Sequence, residues 1–121
     1  MAEVETHTGS CHCGAVAFEV ETDLSMVMEC NCTHCFRTGV WLTFVEPSAF
    51  RLTKGEGAIQ EYLFNTKKIR HFLCKTCGVE THGEGAGPDG KVNVAVNVRC
   101  LTDIAPFSVT PTMRYDGLHQ I

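Results

Sequence analysis

"KVNVAVNVRCL", Lys91 to Leu101, places valine at 92, 94, 96 and 98. A spacing of two puts all four side chains on one face of an extended chain, the period of a half-buried strand. The neighbouring runs read the same way. "AVAFEVE" (Ala15–Glu21), "VWLTFVE" (Val40–Glu46), "IQEYLFN" (Ile59–Asn65) and "IRHFLC" (Ile69–Cys74) are rich in β-branched and aromatic residues. No window of a dozen residues sustains the 3.6-residue period, so the helix content predicted is at most a short turn at Thr33–Thr38. "KGEG" (Lys54–Gly57) and "GEGAGPDG" (Gly83–Gly90) read as loops; the second lacks GxGxxG spacing and opens no helix, so it is not a phosphate cradle. The expected fold is a mostly β, mainly antiparallel single domain spanning residues 1–121, with the cysteines on its turns.

The bulk numbers agree with one globular domain. The chain has 121 residues, 44% hydrophobic and 20% charged. A net charge of −4 with scattered basic residues argues against nucleic acid as a partner. "MAEVETHTGS" is polar and acidic, unlike a secretory leader, and no apolar run approaches a membrane span. A cytoplasmic location is therefore expected. There thiols stay reduced, and a cysteine pattern reads as metal-binding or catalytic before it reads as disulfides.

That pattern is the strongest chemical signal. Seven of the eight cysteines fall in "CHC" (Cys11, Cys13), "CNCTHC" (Cys30, Cys32, Cys35) and "CKTC" (Cys74, Cys77). Scattered core cysteines would not repeat C-x-C and C-x-x-C, and an odd number does not pair. Zinc accounts for the spacing, because a C-x-x-C turn followed by glycine brings two thiolates onto one ion. A structural zinc takes four protein ligands, while a catalytic zinc takes three and keeps one position open. Seven divides into one of each. Spacing leaves the grouping open: Cys11/Cys13 with Cys74/Cys77 is one partition, and Cys30/Cys32 could replace either pair.

The series C-H-C-G, C-N-C-T-H-C-F-R-T-G and F-L-C-K-T-C-G, from about Gly9 to Cys100, resembles the glutathione-dependent formaldehyde-activating enzyme (GFA) family. Its wider superfamily includes centromere protein V. The resemblance implies a zinc-bound sandwich of two packed sheets. It implies a structural zinc on Cys11, Cys13, Cys74 and Cys77 and a catalytic zinc on Cys30, Cys32 and Cys35. The implied partners are the small thiol glutathione and an aldehyde, joined as S-hydroxymethylglutathione by a carbon–sulfur lyase.

The donor set suits that chemistry. Three thiolates leave a divalent ion a weak Lewis acid toward water, which disfavours a hydrolase, and a soft site favours a fourth sulfur. Glutathione's two carboxylates call for cations. Arg37 is the first candidate, with Lys67, Lys68 and Arg70 read mainly as a solvated strand-end cluster. Phe36 and Trp41 are expected in the core. His34, inside the C-x-x-C turn, is poorly placed as a ligand and is weighed as a proton-transfer group. His12 reads as a turn residue, His71 as a hydrogen-bonded core histidine, Cys100 as structural, and Asp116-Gly117 as a turn. Two other functions compete: a zinc-stabilised interaction module without activity, and a thiol-based metal or redox buffer.

Overall fold

The computed structural model describes residues 3–63, 69–87 and 89–117, and it is built of strands. In chain order these are β1 (Glu5–Ser10), β2 (Ala17–Thr22) and β3 (Met28–Cys30), the short helix α1 (Thr33–Thr38), then β4 (Trp41–Val45), β5 (Phe50–Lys54), β6 (Ile59–Tyr62), β7 (Arg70–Cys74), β8 (Glu80–Ala86), β9 (Val92–Asn97) and β10 (Met113–Tyr115). They form two sheets. The smaller has the order β1-β2-β5, and the larger β10-β3-β4-β9-β8-β7-β6. Among the described residues the strand pairings are antiparallel except β10 with β3, which is parallel.

The valine periodicity of β9 explains the layering. Val94 and Val96 are 3% and 0% exposed and meet Phe18 and Val20 of β2 in the main core. Burying each such side chain stabilises the fold by about 1.5–3 kcal/mol. Val98 is buried in the same core, but it lies in the 3-10 turn Val98–Cys100 that follows the strand, and Val92 at the strand's start is exposed. The alternate residue Ala95 packs against Cys30, Cys32, Cys35, Val40 and Leu42. One strand therefore supports the core on one face and the three-cysteine cluster on the other. No helix among the described residues is long and apolar enough to cross a membrane.

Several readings need correction. The polar N-terminal stretch forms β1, paired along its whole length with β2; its inward positions are His7 and Gly9, which carry no hydrophobic signal. "GEGAGPDG" is not a loop throughout, because Gly83 to Ala86 continue β8. Glycine is needed there, since a Cβ on Gly83 would stand 2.9 Å from the Arg70 carbonyl oxygen. Phe36 is not core: it is 77% exposed on the outer side of α1, while Cys35 takes the buried position. Lys67, Lys68 and the end of the "IQEYLFN" run lie outside the described residues.

Candidate functional site

Two cysteine groups form, divided as the resemblance implies. Cys11 and Cys13 follow β1, and Cys74 and Cys77 close β7; their four sulfurs lie within 4.8 Å of one another. Cys13 Sγ is 3.7 Å from Cys11 Sγ and 3.6 Å from Cys74 Sγ. Zinc–sulfur bonds of about 2.3 Å in a tetrahedron separate neighbouring sulfurs by about 3.8 Å, so the group has the dimensions of a closed zinc site. Gly78, at φ 77°, lets the chain turn after Cys77. The Val16 amide donates to Cys11 Sγ at 3.3 Å, and the Thr76 and Cys77 amides donate to Cys74 Sγ at 3.3 and 3.5 Å. Such donors favour thiolate. Desolvation raises the Cys77 pKa, but the amides of Cys13 and Val79 outweigh it and hold it at about 6.

The second group is Cys30, Cys32 and Cys35, all buried, with sulfurs within 4.8 Å of one another. Cys30 ends β3. Cys32 caps α1, its sulfur accepting from the Cys35 amide at 3.3 Å, and Cys35 lies inside the helix. The Cys32 amide donates to Cys30 Sγ at 3.4 Å. Gly39, left-handed at φ 73°, ends the helix by donating its N–H to the Cys35 carbonyl at 2.9 Å. Burial pushes the Cys35 thiol far up, and the nearby charges of Cys32, Cys30 and Glu80 push it further. Three thiolates crowded in this space repel one another, and a divalent cation removes that repulsion. The donor set fits zinc with one position left for a fourth ligand.

Two cavities meet at this triplet. A cleft of about 590 Å³ is lined by Cys30 and Cys35 together with Phe36, Trp41, Arg99 and Arg114. Arg99 lies over the Trp41 ring at 4.6 Å and donates from Nη1 to the Gly39 carbonyl at 3.4 Å. Among the described residues Arg99 forms no ion pair, whereas Arg114 is paired with Glu29 at 3.0 Å. An adjoining cavity of about 160 Å³ is lined by all three cysteines and by Met28, Leu42, Phe44, Ile69 and Ala95.

Arg37 faces elsewhere. It donates to the Thr33 carbonyl at 3.0 Å and lines a separate groove with His34, Tyr62 and Lys75, which none of the three triplet cysteines reaches. Arg70 is tied to Glu61 and, at 3.6 Å, to Glu84. His12 is exposed in its turn. Cys100 is buried, where desolvation pushes its thiol up to about 12, consistent with a structural role. Trp41 is half-buried, touching the core as well as the cleft.

Sequence reasoning missed Glu80, Arg99 and Gly117. Glu80 is 5% exposed and accepts from His34 and His71. Burial raises its pKa, but those two bonds outweigh it and hold the carboxyl below its ordinary value. An acid directly after the apolar Val79 and just past "CKTCG" was the available signal. Gly117 lies so close to Cys30 that a Cβ there would stand 2.6 Å from its sulfur.

Comparison with known proteins agrees with this arrangement. A crystal structure of a Rhodobacter sphaeroides protein superposes with a TM-score of 0.78 at 30% identity, covering 89% of this chain and 99% of that one. The family described as glutathione-dependent formaldehyde-activating enzyme matches residues 6–115, which hold both cysteine groups, and the chain belongs to that family.

Proposed function

We propose that this protein is a zinc-dependent carbon–sulfur lyase of the cytoplasm that joins glutathione to formaldehyde or a related aldehyde. The observation that carries this reading is the inequality of the two cysteine groups. Four sulfurs form a complete ligand set, while the other three form an incomplete one that two cavities reach. A purely structural domain needs only the first.

Cys11, Cys13, Cys74 and Cys77 would hold one zinc, and Cys30, Cys32 and Cys35 a second. The second would supply a soft Lewis-acidic position for a substrate sulfur. The cleft beside Cys30 and Cys35 receives the thiol. Arg99, with its guanidinium braced by Trp41, binds one carboxylate of glutathione. Arg37, expected to hold a carboxylate, lines the separate groove and is given no part in this contact. In the reaction a carbon–sulfur bond forms, the carbonyl π bond opens, and the proton lost by the thiol ends on the carbonyl oxygen. The reverse cleaves carbon from sulfur. Holding both reactants together turns a bimolecular addition into an effectively unimolecular one.

Exchange NMR of glutathione and formaldehyde, with and without the zinc-loaded protein, tests the reading. Interconversion of free and S-hydroxymethylated glutathione is expected to accelerate over the spontaneous rate. Equal rates would overturn it.

A further inference from the structure

The thiol–aldehyde reading leaves the small cavity at the triplet to the aldehyde. We propose, resting on that reading, that the preferred aldehyde carries an apolar chain of about four to six carbons, or a phenyl ring, rather than being formaldehyde.

The size and the walls of the cavity carry this. It has a volume of about 160 Å³. An apolar cavity of about 150 Å³ accepts benzene. Its walls are Met28, Leu42, Phe44, Ile69 and Ala95, with the thiols of Cys30, Cys32 and Cys35 at the floor. Besides the thiols, its lining includes Tyr115, His71 and Glu80, and the last two are bonded to each other at 3.4 Å. Phe44 and Ile69 are 39% and 51% exposed, so the chamber opens to solvent at an apolar rim. Formaldehyde has no side chain to fill such a space, and in water it is a diol whose hydroxyls find few partners on these walls. The adjoining cleft carries the guanidinium groups of Arg99 and Arg114. The thiol peptide would occupy the cleft and the aldehyde chain the apolar cavity, with the reacting atoms where the two adjoin, at Cys30 and Cys35. Discrimination by such a pocket is worth about 10–200-fold per well-placed methylene at most.

The addition is the one written above: carbon–sulfur bond formed, carbonyl π bond opened, thiol proton to oxygen, with no other reactant. The experiment uses zinc-loaded protein, glutathione, and formaldehyde, acetaldehyde, pentanal and benzaldehyde in turn. The readout is kcat/KM divided by the uncatalysed rate constant for each aldehyde, which removes formaldehyde's greater intrinsic reactivity. This enhancement is expected to rise at least tenfold from formaldehyde to pentanal. Ala95→Leu, which fills the cavity beside the triplet, is expected to cut the pentanal-to-formaldehyde ratio at least tenfold, and Phe44→Trp, at the rim, to cut it less. A flat or falling series with formaldehyde still turned over would overturn the chain-length proposal alone. So would a ratio that survives in both variants. No acceleration with any aldehyde would overturn the lyase reading as well.

Discussion

His34 Nε2 lies 2.5 Å from Glu80 Oε1, joining the middle of the C-x-x-C helix to the first residue of β8. The pair is buried, with side chains 9% and 3% exposed. The second carboxylate oxygen meets His71 Nδ1 at 3.4 Å. This contact fixes α1, and with it Cys32 and Cys35, against the large sheet. Glu80→Ala removes an acceptor shared by two buried imidazoles and is expected to cost about 2–4 kcal/mol. Glu80→Gln keeps an acceptor and should cost about 1 kcal/mol. Urea melts of the zinc-loaded proteins check this; an alanine variant as stable as the parent would show that α1 is held by other contacts.

Arg99 should govern thiol binding. Arg99→Met is expected to raise the KM for glutathione about tenfold or more, the scale of one charge-assisted hydrogen bond. 2-Mercaptoethanol has no carboxylate, so its KM should be unchanged, and Arg99→Lys should recover part of the glutathione affinity. A parallel rise for both thiols would assign Arg99 to the shape of the cleft through its contact with Trp41.

The cysteine pairs were legible because spacing is local chemistry: C-x-C and C-x-x-C place sulfurs through single turns, whereas the grouping of Cys11/Cys13 with Cys74/Cys77 depends on distant strands and came from the family resemblance. The extent of α1 was legible for the same reason, since its cap at Cys32 and stop at Gly39 lie in the same ten residues. Glu80 and Arg99 were not, because their roles arise only when β8, α1 and the turn after β9 are brought together. β1 was hidden because His7 and Gly9 fill its inward positions, and the end of β8 because close packing requires glycine where strand propensity would ask for valine. Phe36 was misjudged because the buried side of α1 is taken by Cys35, which leaves the aromatic ring facing outward.

His82 should make the fold acid-sensitive. It is 4% exposed, between Phe50 and Phe72 at centroid distances of 4.5 and 4.8 Å, and burial lowers its pKa to about 4. The unfolded imidazole titrates near ~6.5. Because the folded value is the lower, the unfolded chain binds the proton first. The stabilisation is complete above about pH 6.5 and is lost as pH falls toward 4, in total about 3 kcal/mol. His82→Phe should flatten the dependence of unfolding free energy on pH in that window. Acid release of metal affects both proteins, so the difference between their slopes isolates His82. Identical slopes would mean that His82 takes up its proton at the same pH in the fold as in the unfolded chain.

The two cysteine groups should separate under substitution. Cys74→Ala breaks the group that joins the β1 turn to the end of β7. Because metal binding and folding are coupled there, the variant is expected to unfold or aggregate. Cys32→Ser acts on the other group. Serine is itself a good helix cap, so the bond from the Cys35 amide can be kept and α1 should persist. Two remaining thiols hold an ion poorly, so zinc content should fall by about one equivalent. Glutathione–formaldehyde exchange should return to the spontaneous rate, while the melting temperature stays close to the parent's. Metal content, melting temperature and exchange are to be measured on the parent and both variants together. If Cys32→Ser unfolds the protein, the triplet is part of what holds the fold. If it folds and exchanges as fast as the parent, the chemistry lies elsewhere and a zinc-stabilised interaction module becomes the better reading.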